Sequence, residues 1–527
     1  MADVAAMQAA STMLDVANPA PFEMMITTLM STVNEERDHA EAVYNECKKH
    51  PTQCATQLTQ VLRKSSNVSS RAMCAVLLRK MLTKDAHEET GDTVWPILPE
   101  ATQAGIKAEL LACLQEETDR GILKKVCDTV GEIATNIFES GGWAELMPFM
   151  FQSVQSPNDL HRESALLIFG QLAPVLAPVL QSHLATLHQV LGVSMQSTVI
   201  FDVRIAALKA TINFILNLEA DKQCDQFQTL LPLMLETLAA ALNTGQELQA
   251  QEALEALIEL ADNHPRFLRK QLESVLNAMI LVAEADSLDD ATRNYAVEFL
   301  LTLAEAREKA PGMLRKCPHF VQRLFQCLLG FLLDLEDTPE WHTQEDDEDN
   351  NDESGRYDVG QEGLDRLAMA MGGKTILPLA SQMLPIFLAD KDWTKRHAAL
   401  IALSQIAEGC AKLMIKQKEL AVVAEMCLGY IMDPNARVRW AAIHAIGQTC
   451  TDLGPDLQKE QHHRILPALL QVMDDHANPR IQAHASAAVV NFSENCSTEV
   501  MRPYMDALIT KLMLLLQSGR KLVMEGA

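Results

Sequence analysis

The sequence predicts an all-α protein built as a solenoid of helical hairpins. Three observations predict it. An anchor motif recurs at about 43 residues. Strand-like alternation of apolar and polar residues is absent. The 527 residues include only 22 Gly and 21 Pro, few of the turn-formers that an all-β chain needs. An apolar share of 48% excludes a disordered chain. The length allows roughly three to four ordinary domains or one long repeat array.

The anchor is a turn, then Arg or Gln, then Ala three positions on, then an apolar residue four beyond that. Arg396 leads to Ala399 and Leu403, Arg439 to Ala442 and Ile446, and Gln482 to Ala485 and Val489. Upstream, Arg162 with Ala165 and Phe169, Arg204 with Ala207, and Arg293 with Ala296 and Leu300 continue it. Ala250 with Ala253 and Leu257 keeps the spacing without the Arg. The period is that of HEAT and armadillo-type repeats. Apolar residues at i, i+3, i+4 and i+7 give each helix one apolar stripe, and the small Ala lets neighbouring helices approach. Asp or Asn in the preceding turn can cap the helix N-terminus. An apolar helix, such as the one around Ile465–Met473, precedes each anchor. Each repeat is then a hairpin of helices A and B that cannot bury its apolar face alone. Stacking about ten to eleven of them gives a right-handed superhelix with the B helices inside.

One interval is too long. Arg293 to Arg396 spans two periods plus about 17 residues. The excess is placed at 334–363, around Glu345, Asp346, Asp347, Glu348, Asp349, Asp352 and Glu353. Such a run repels itself, so residues 336–362 are expected to lack regular structure. It is either a solvated insertion or an electrostatic clamp for a basic ligand. At the chain's end, 502–516 reads as an A helix, and Lys521 begins a B helix with little room to finish. Met513, Leu514 and Leu515 are therefore expected not to be buried together, and the pattern reads as a piece of a longer array.

Composition and motifs narrow the function classes. The formal net charge of -26 argues against nucleic-acid binding and favours basic partners. The 12 Cys lie singly in apolar helical contexts with no Cys-x-x-Cys pair, as core hydrophobes in a reducing compartment. No signal peptide or stretch of about 20 apolar residues is read, so no membrane insertion is expected. Gly372-Gly373-Lys374-Thr375 lacks the first Gly and the strand of a phosphate-binding loop. His462, His463, His476 and His484 lack a metal-site pattern, and no nucleophile motif occurs; no metal, cofactor or enzyme activity is expected.

The ninth position after each late anchor faces away from the apolar seam, at about 100° per residue. It holds Gln405, Gln448 and Asn491; close to one turn later come Glu408, Asp452 and Glu494. Stacking sets an amide ladder beside an acidic ladder. The residues are either a solubilising face or a surface for an extended basic peptide, amides to its backbone and carboxylates to its Lys side chains. Gln171 and Asn213 hold the same position earlier in the chain.

Several segments carry a family resemblance: Asn34-Glu35-Glu36-Arg37; the stretch from Lys395 through Ala399, Gln405 and Glu408 to Cys410; Asp433-Pro434-Asn435-Ala436-Arg437-Val438-Arg439; Gln482-Ala483-His484-Ala485 with Asn491-Phe492-Ser493-Glu494; and Leu364-Asp365-Arg366-Leu367 followed by Gly372-Gly373-Lys374. With these the sequence resembles the importin-β (karyopherin-β) nuclear transport receptors, in their importin-5 or karyopherin-β3 branch, over the N-terminal half of such a receptor. The resemblance implies a monomeric HEAT-repeat carrier that shuttles between cytoplasm and nucleus. It implies binding of basic nuclear localisation signals of cargo, docking on FG-nucleoporins, and cargo release when Ran GTPase in its GTP form binds. Residues 1–333 are then the Ran- and nucleoporin-binding repeats, 334–363 the acidic loop coupled to Ran, and 364–527 the cargo-binding repeats. Gln405, Glu408, Gln448, Asp452, Asn491 and Glu494 become the cargo ladder, and Gln171 and Asn213 fall where Ran is expected. A HEAT scaffold or regulatory subunit of a multiprotein complex is the alternative.

Overall fold

The computed structural model describes residues 2–83, 94–138, 142–219, 221–343 and 355–527. They form two compact units, Met1–Ala256 and Leu257–Ala527. The first carries α1 (Ala2–Met13), α2 (Ala20–Thr28), α3 (Asn34–Lys48), α4 (Pro51–Lys64), α5 (Val68–Thr83), α6 (Glu100–Glu116), α7 (Arg120–Ile137), α8 (Leu146–Ser153), α9 (Asp159–Gln171), α10 (Ala173–Leu176), α11 (Leu184–Ser194), α12 (Phe201–Leu216), α13 (Asp221–Phe227) and α14 (Leu231–Asn243). The division falls within α15 (Glu247–Asn263). The second carries α16 (Leu272–Glu284), α17 (Asp290–Glu305), α18 (Pro318–Phe331), α19 (Pro339–Thr343), α20 (Gly355–Met371), α21 (Gly373–Leu388), α22 (Trp393–Gln417), α23 (Leu420–Leu428), α24 (Ala436–Asp452), α25 (Asp456–Val472), α26 (Pro479–Glu494), α27 (Thr498–Met501), α28 (Met505–Leu516) and α29 (Lys521–Gly526). No β-strand occurs among the described residues.

The architecture is the HEAT-type α-solenoid expected from the repeat. In the first unit α4/α5, α6/α7, α8/α9 and α11/α12 pair as A/B hairpins, and the B helices α5, α7, α9 and α12 pack one on the next. In the second, α16/α17, α18/α20, α21/α22, α23/α24, α25/α26 and α28/α29 pair, and α17, α20, α22, α24, α26 and α29 form the B layer. The Ala and apolar anchor positions lie in the seam: Ala399, Ala442 and Ala485 are fully buried, Leu403, Ile446 and Val489 nearly so.

The anchor Arg residues tie each repeat to the next. Arg396 forks onto Asp433 at 2.8 and 2.9 Å, and Arg439 reaches Asp475 at 3.0 Å. Bidentate pairing suits the planar guanidinium. Gln482 instead bonds within its own hairpin, to the Met473 carbonyl at 2.9 Å. The capping expected from Asp and Asn is present: Asp392 accepts from the Thr394 N–H, Asn435 from Arg437 and Asn478 from Ile481.

α22 is long and apolar enough to cross a membrane by length and composition alone. Here it is a core helix, packed by α20, α21 and α24 and buried continuously from His397 to Ser404. Buried thiols behave as small hydrophobes; burial pushes Cys410 up to about 12.

Two boundaries differ from the sequence reading. Residues 336–362 are not uniformly irregular: α19 forms at Pro339–Thr343, and α20 begins at Gly355 rather than at 364. Tyr357, Gly360, Leu364 and Leu367 make an apolar stripe at helical spacing, and that stripe outweighs the charges around it. Gly360 is needed there, because a Cβ would lie 2.9 Å from the Leu328 carbonyl oxygen. The acidic residues Glu345, Asp346, Asp347, Glu348, Asp349, Asp352 and Glu353 lie outside the described residues. The A helix expected over 502–516 is regular only from Met505. Met513 and Leu514 are exposed while Leu515 is buried, so the three are not buried together.

Candidate peptide-binding surface

The site lies on the second unit's B layer, where α20, α22, α24 and α26 follow one another. On α24 the residues Trp440, His444, Gln448 and Asp452 recur every four positions, and all are half-buried. Spacing of four puts them on one stripe. Beside it α22 presents Gln405 and Glu408, α20 presents Asp365, and α26 presents His484, Asn491 and Glu494.

Glycines set how close these helices come. A Cβ on Gly409, next to Glu408, would sit 2.5 Å from the Ala368 carbonyl carbon of α20. One on Gly447, next to Gln448, would sit 3.3 Å from the Asn491 amide of α26. The missing side chains let polar residues on separate repeats share one patch.

The electrostatics identify which carboxylates are brought together. Burial, then the charges of Glu408, Glu362 and Glu305, raises Asp365 above the usual carboxylate range. Asp452 is pushed up to about 6 by burial, with Glu408 and Asp365 adding to the shift against the Gln448 amide. That amide lies 3.1 and 3.2 Å from the two Asp452 oxygens. Asp365, Glu408 and Asp452 therefore form one cluster, and none of them has a cationic partner among the described residues. Neighbouring acids do have one: Arg366 forks onto Glu298 at 2.7 and 2.9 Å and onto Glu305 at 2.7 and 2.9 Å. Two half-buried carboxylates, Asp365 and Asp452, raised beside the exposed Glu408, make a locally acidic surface that suits a cation.

The sequence reading placed Glu408 and Asp452 in this cluster and missed Asp365. The signal was present, since Asp365 precedes Glu408 by one repeat. Glu494 stands exposed at the last residue of α26, outside the cluster. Gln405 and Asn491 are half-buried at its flanks. In the first unit the equivalent amides are engaged within the protein: Gln171 donates to Asp128 at 2.6 Å, and Asn213 to the Gly170 carbonyl at 3.2 Å.

The sequence also gave no role to Trp341 or Tyr357, which flank the acidic run. Trp341 is buried, with the Arg437 guanidinium 4.2 Å and that of Arg480 5.5 Å from its ring centroid. The Tyr357 hydroxyl lies 2.9 Å from His397 Nε2, and His397 Nδ1 lies 3.0 Å from the Arg437 carbonyl oxygen. Since that oxygen can only accept, Nδ1 carries the proton and Tyr357 donates to Nε2. Burial pushes His397 down to about 3, so this ring is a neutral structural link.

Comparisons with known proteins bear on the family of the chain. Residues 40–116 match the importin-beta N-terminal domain, 118–278 the IPO5-like TPR repeats, and 285–378 the importin repeat. Importin subunit beta-3 of Saccharomyces cerevisiae is 29% identical over 514 residues, 95% of this chain and 46% of that protein. A probable importin-5 homolog of Dictyostelium discoideum is 24% identical over 401 residues, 73% of this chain and 36% of that one. The chain thus spans less than half the length of these relatives. Kap121p bound to RanGTP superposes with a TM-score of 0.80 at 28% identity, covering 95% of this chain and 47% of that one. Kap121p bound to Pho4p superposes with a TM-score of 0.81 at 28% identity, over 95% and 48%. With importin models spread along residues 40–378 and a Kap121p fold beneath almost all of it, the chain belongs to the importin-β family, among the relatives of importin-5 and Kap121p.

Proposed function

We propose that this protein is a nuclear import receptor that holds the basic localisation signal of a cargo protein on the α20–α26 surface. The observation that carries the reading is the cluster of Asp365, Glu408 and Asp452, one per repeat and without a cation. A similar protein supports it: Kap121p has been solved with Pho4p, with RanGTP, and as a variant in which three acidic residues, about one repeat apart, are lysines. A lysine ammonium seats among the three carboxylates. Gln405, Gln448 and Asn491 meet the peptide backbone, and Glu494 takes a further basic residue at the rim. Residues 1–333 bind Ran in its GTP form and FG-nucleoporins; the acidic insertion at 334–363 couples Ran to release; 364–527 hold cargo. The receptor acts as a monomer, shuttles between cytoplasm and nucleus, and performs no catalysis; its relatives are transport receptors.

The test is a pull-down on immobilised Ran loaded with GTP or GDP, with a fluorescent lysine-rich peptide as reporter. Selective binding to the GTP form with release of peptide is the expected result. Equal binding to both forms points to the scaffold reading.

Affinity for that peptide is expected to rise with pH. Peptide lysines stay charged near neutrality. Asp452, raised to about 6, is protonated below that value and then gives a cation no charge. Burial holds His484 down at about 3, so it adds no positive charge in this window, and holds His444 below the usual imidazole range. Fluorescence anisotropy at constant ionic strength is expected to show about fivefold weaker binding at pH 5 than at pH 7.5, on the order of 1 kcal/mol. Asp452→Asn is expected to flatten the profile.

A further inference from the structure

The upper half of the α24 stripe is aromatic. Trp440, His444 and His484 lie nearly parallel: Trp440 to His444 is 5.2 Å between centroids at 11°, Trp440 to His484 is 4.6 Å at 22°, and His444 to His484 is 5.4 Å at 12°. Behind them the fully buried His397 ring continues the same orientation, 6.3 Å from Trp440 at 12°. The two sets differ in bonding. Both nitrogens of His397 are engaged within the protein. Trp440, His444 and His484 remain half-buried, and their ring nitrogens make no hydrogen bond among the described residues. No group of three metal-ligating side chains occurs among the described residues, so the paired imidazoles do not complete a metal site.

We propose that Trp440, His444 and His484 form a second subsite on this surface, which takes the guanidinium of an arginine in the same basic peptide. This rests on the basic-peptide reading above and adds to it a residue preference and a spacing. Parallel rings offer a flat π face with polar edges, which suits a planar, weakly hydrated guanidinium better than a compact ammonium. The protein stacks its own arginine in this manner, Arg437 over Trp341 at 4.2 Å. The chain's net charge of -26 favours a basic partner. Trp440 and Asp452 are three turns apart, about 18 Å along the helix, a span that an extended peptide covers in about five residues. The surface thus reads a lysine and an arginine about five positions apart.

Two measurements separate the subsite from the reading it rests on. Peptides carrying one lysine and, five residues away, arginine, lysine, leucine or alanine are titrated into the full chain and into Trp440→Ala, Trp440→Phe and His484→Leu. The arginine peptide is expected to bind the unmodified chain about tenfold more tightly than the alanine peptide. Trp440→Ala removes that advantage and leaves the alanine peptide unchanged, and Trp440→Phe, which keeps a ring, restores most of it. Equal affinities for the arginine and leucine peptides overturn the proposal, because the rings are then a general apolar seat. So does an arginine advantage that survives Trp440→Ala. In parallel, isotope-labelled histidine rings are followed by NMR during addition of a peptide with arginine and no lysine. Shifts at His444 and His484 that persist when the lysine peptide fails to bind support the ring subsite and reject the lysine site. A lysine peptide that binds through Asp452 with no arginine-dependent shift does the reverse.

Discussion

Reversing Asp365, Glu408 and Asp452 to lysine together is expected to abolish binding of a lysine-rich signal peptide, a loss of about a thousandfold or more in anisotropy. A surface ion pair contributes about 0.2–1 kcal/mol, so three such pairs alone account for a loss of roughly 3- to 150-fold. Half-burial strengthens the Asp365 and Asp452 terms, and reversal replaces attraction by repulsion at all three. The peptide's dependence on salt is expected to vanish with its affinity, since screening acts on these charges. The neutral set Asp365→Asn, Glu408→Gln and Asp452→Asn separates recognition from folding. In the free protein the Asp452 carboxyl sits at about 6, above its unfolded value. Its contribution to stability is therefore present below about pH 4 and is lost as pH rises through about 6. Removing the charge is expected to raise the melting temperature at pH 7.5 while weakening the peptide. Unchanged affinity in the neutral triple variant refutes the cluster as the lysine site.

The same residues show how far the sequence reaches. The A/B alternation, the seam positions and the capping Asn and Asp were readable because each follows from a period of one helix or one repeat. Glu408 and Asp452 were readable for the same reason. Asp365 was not placed, because the insertion disturbs the count just before it and the start of α20 was drawn at 364. Glu494 was grouped with the acids by register alone, whereas register does not report distance. Charge coupling depends on the close approach at Gly409, which a single sequence does not display. The roles of Gln171 and Asn213 were hidden similarly: position sets which way an amide faces, and the neighbouring repeat decides whether it bonds there first. Trp341 and Tyr357 were illegible because their partners, Arg437 and His397, are 96 and 40 positions away in the sequence.

Trp341→Ala is expected to release residues 334–343 from the repeats they cross. Trp341 is 3% exposed and lies between two arginines that open successive B helices, Arg437 of α24 and Arg480 of α26. The backbone follows the ring: the Glu336 carbonyl accepts from Arg437 at 2.9 Å, and Asp337 accepts from the Asn435 amide at 3.3 Å. His342 lies 2.7 Å from Asp337 and 3.3 Å from the Asn478 amide. These polar links are partly solvated and worth about 0.5–1.5 kcal/mol each, whereas truncating a buried Trp costs about 3–5 kcal/mol. The ring is thus what holds the segment. The loss is expected to be local, because repeat stability is a sum of intrinsic and neighbour terms. Hydrogen exchange should show residues 334–343 losing protection by two to three orders of magnitude, about 3–4 kcal/mol at 1.4 per decade. The first turns of α24 and α26 should lose some, and α16 and α17 none. Trp341→Phe should retain most of the protection, since a ring still faces Arg437. Affinity for a peptide with lysine and no arginine should change by less than about threefold, because the segment crosses the N-terminal ends of α24 and α26 and the carboxylate cluster lies near the C-terminal end of α24. Unaltered protection at 334–343 in the Ala variant would show that the polar links hold the segment without the ring.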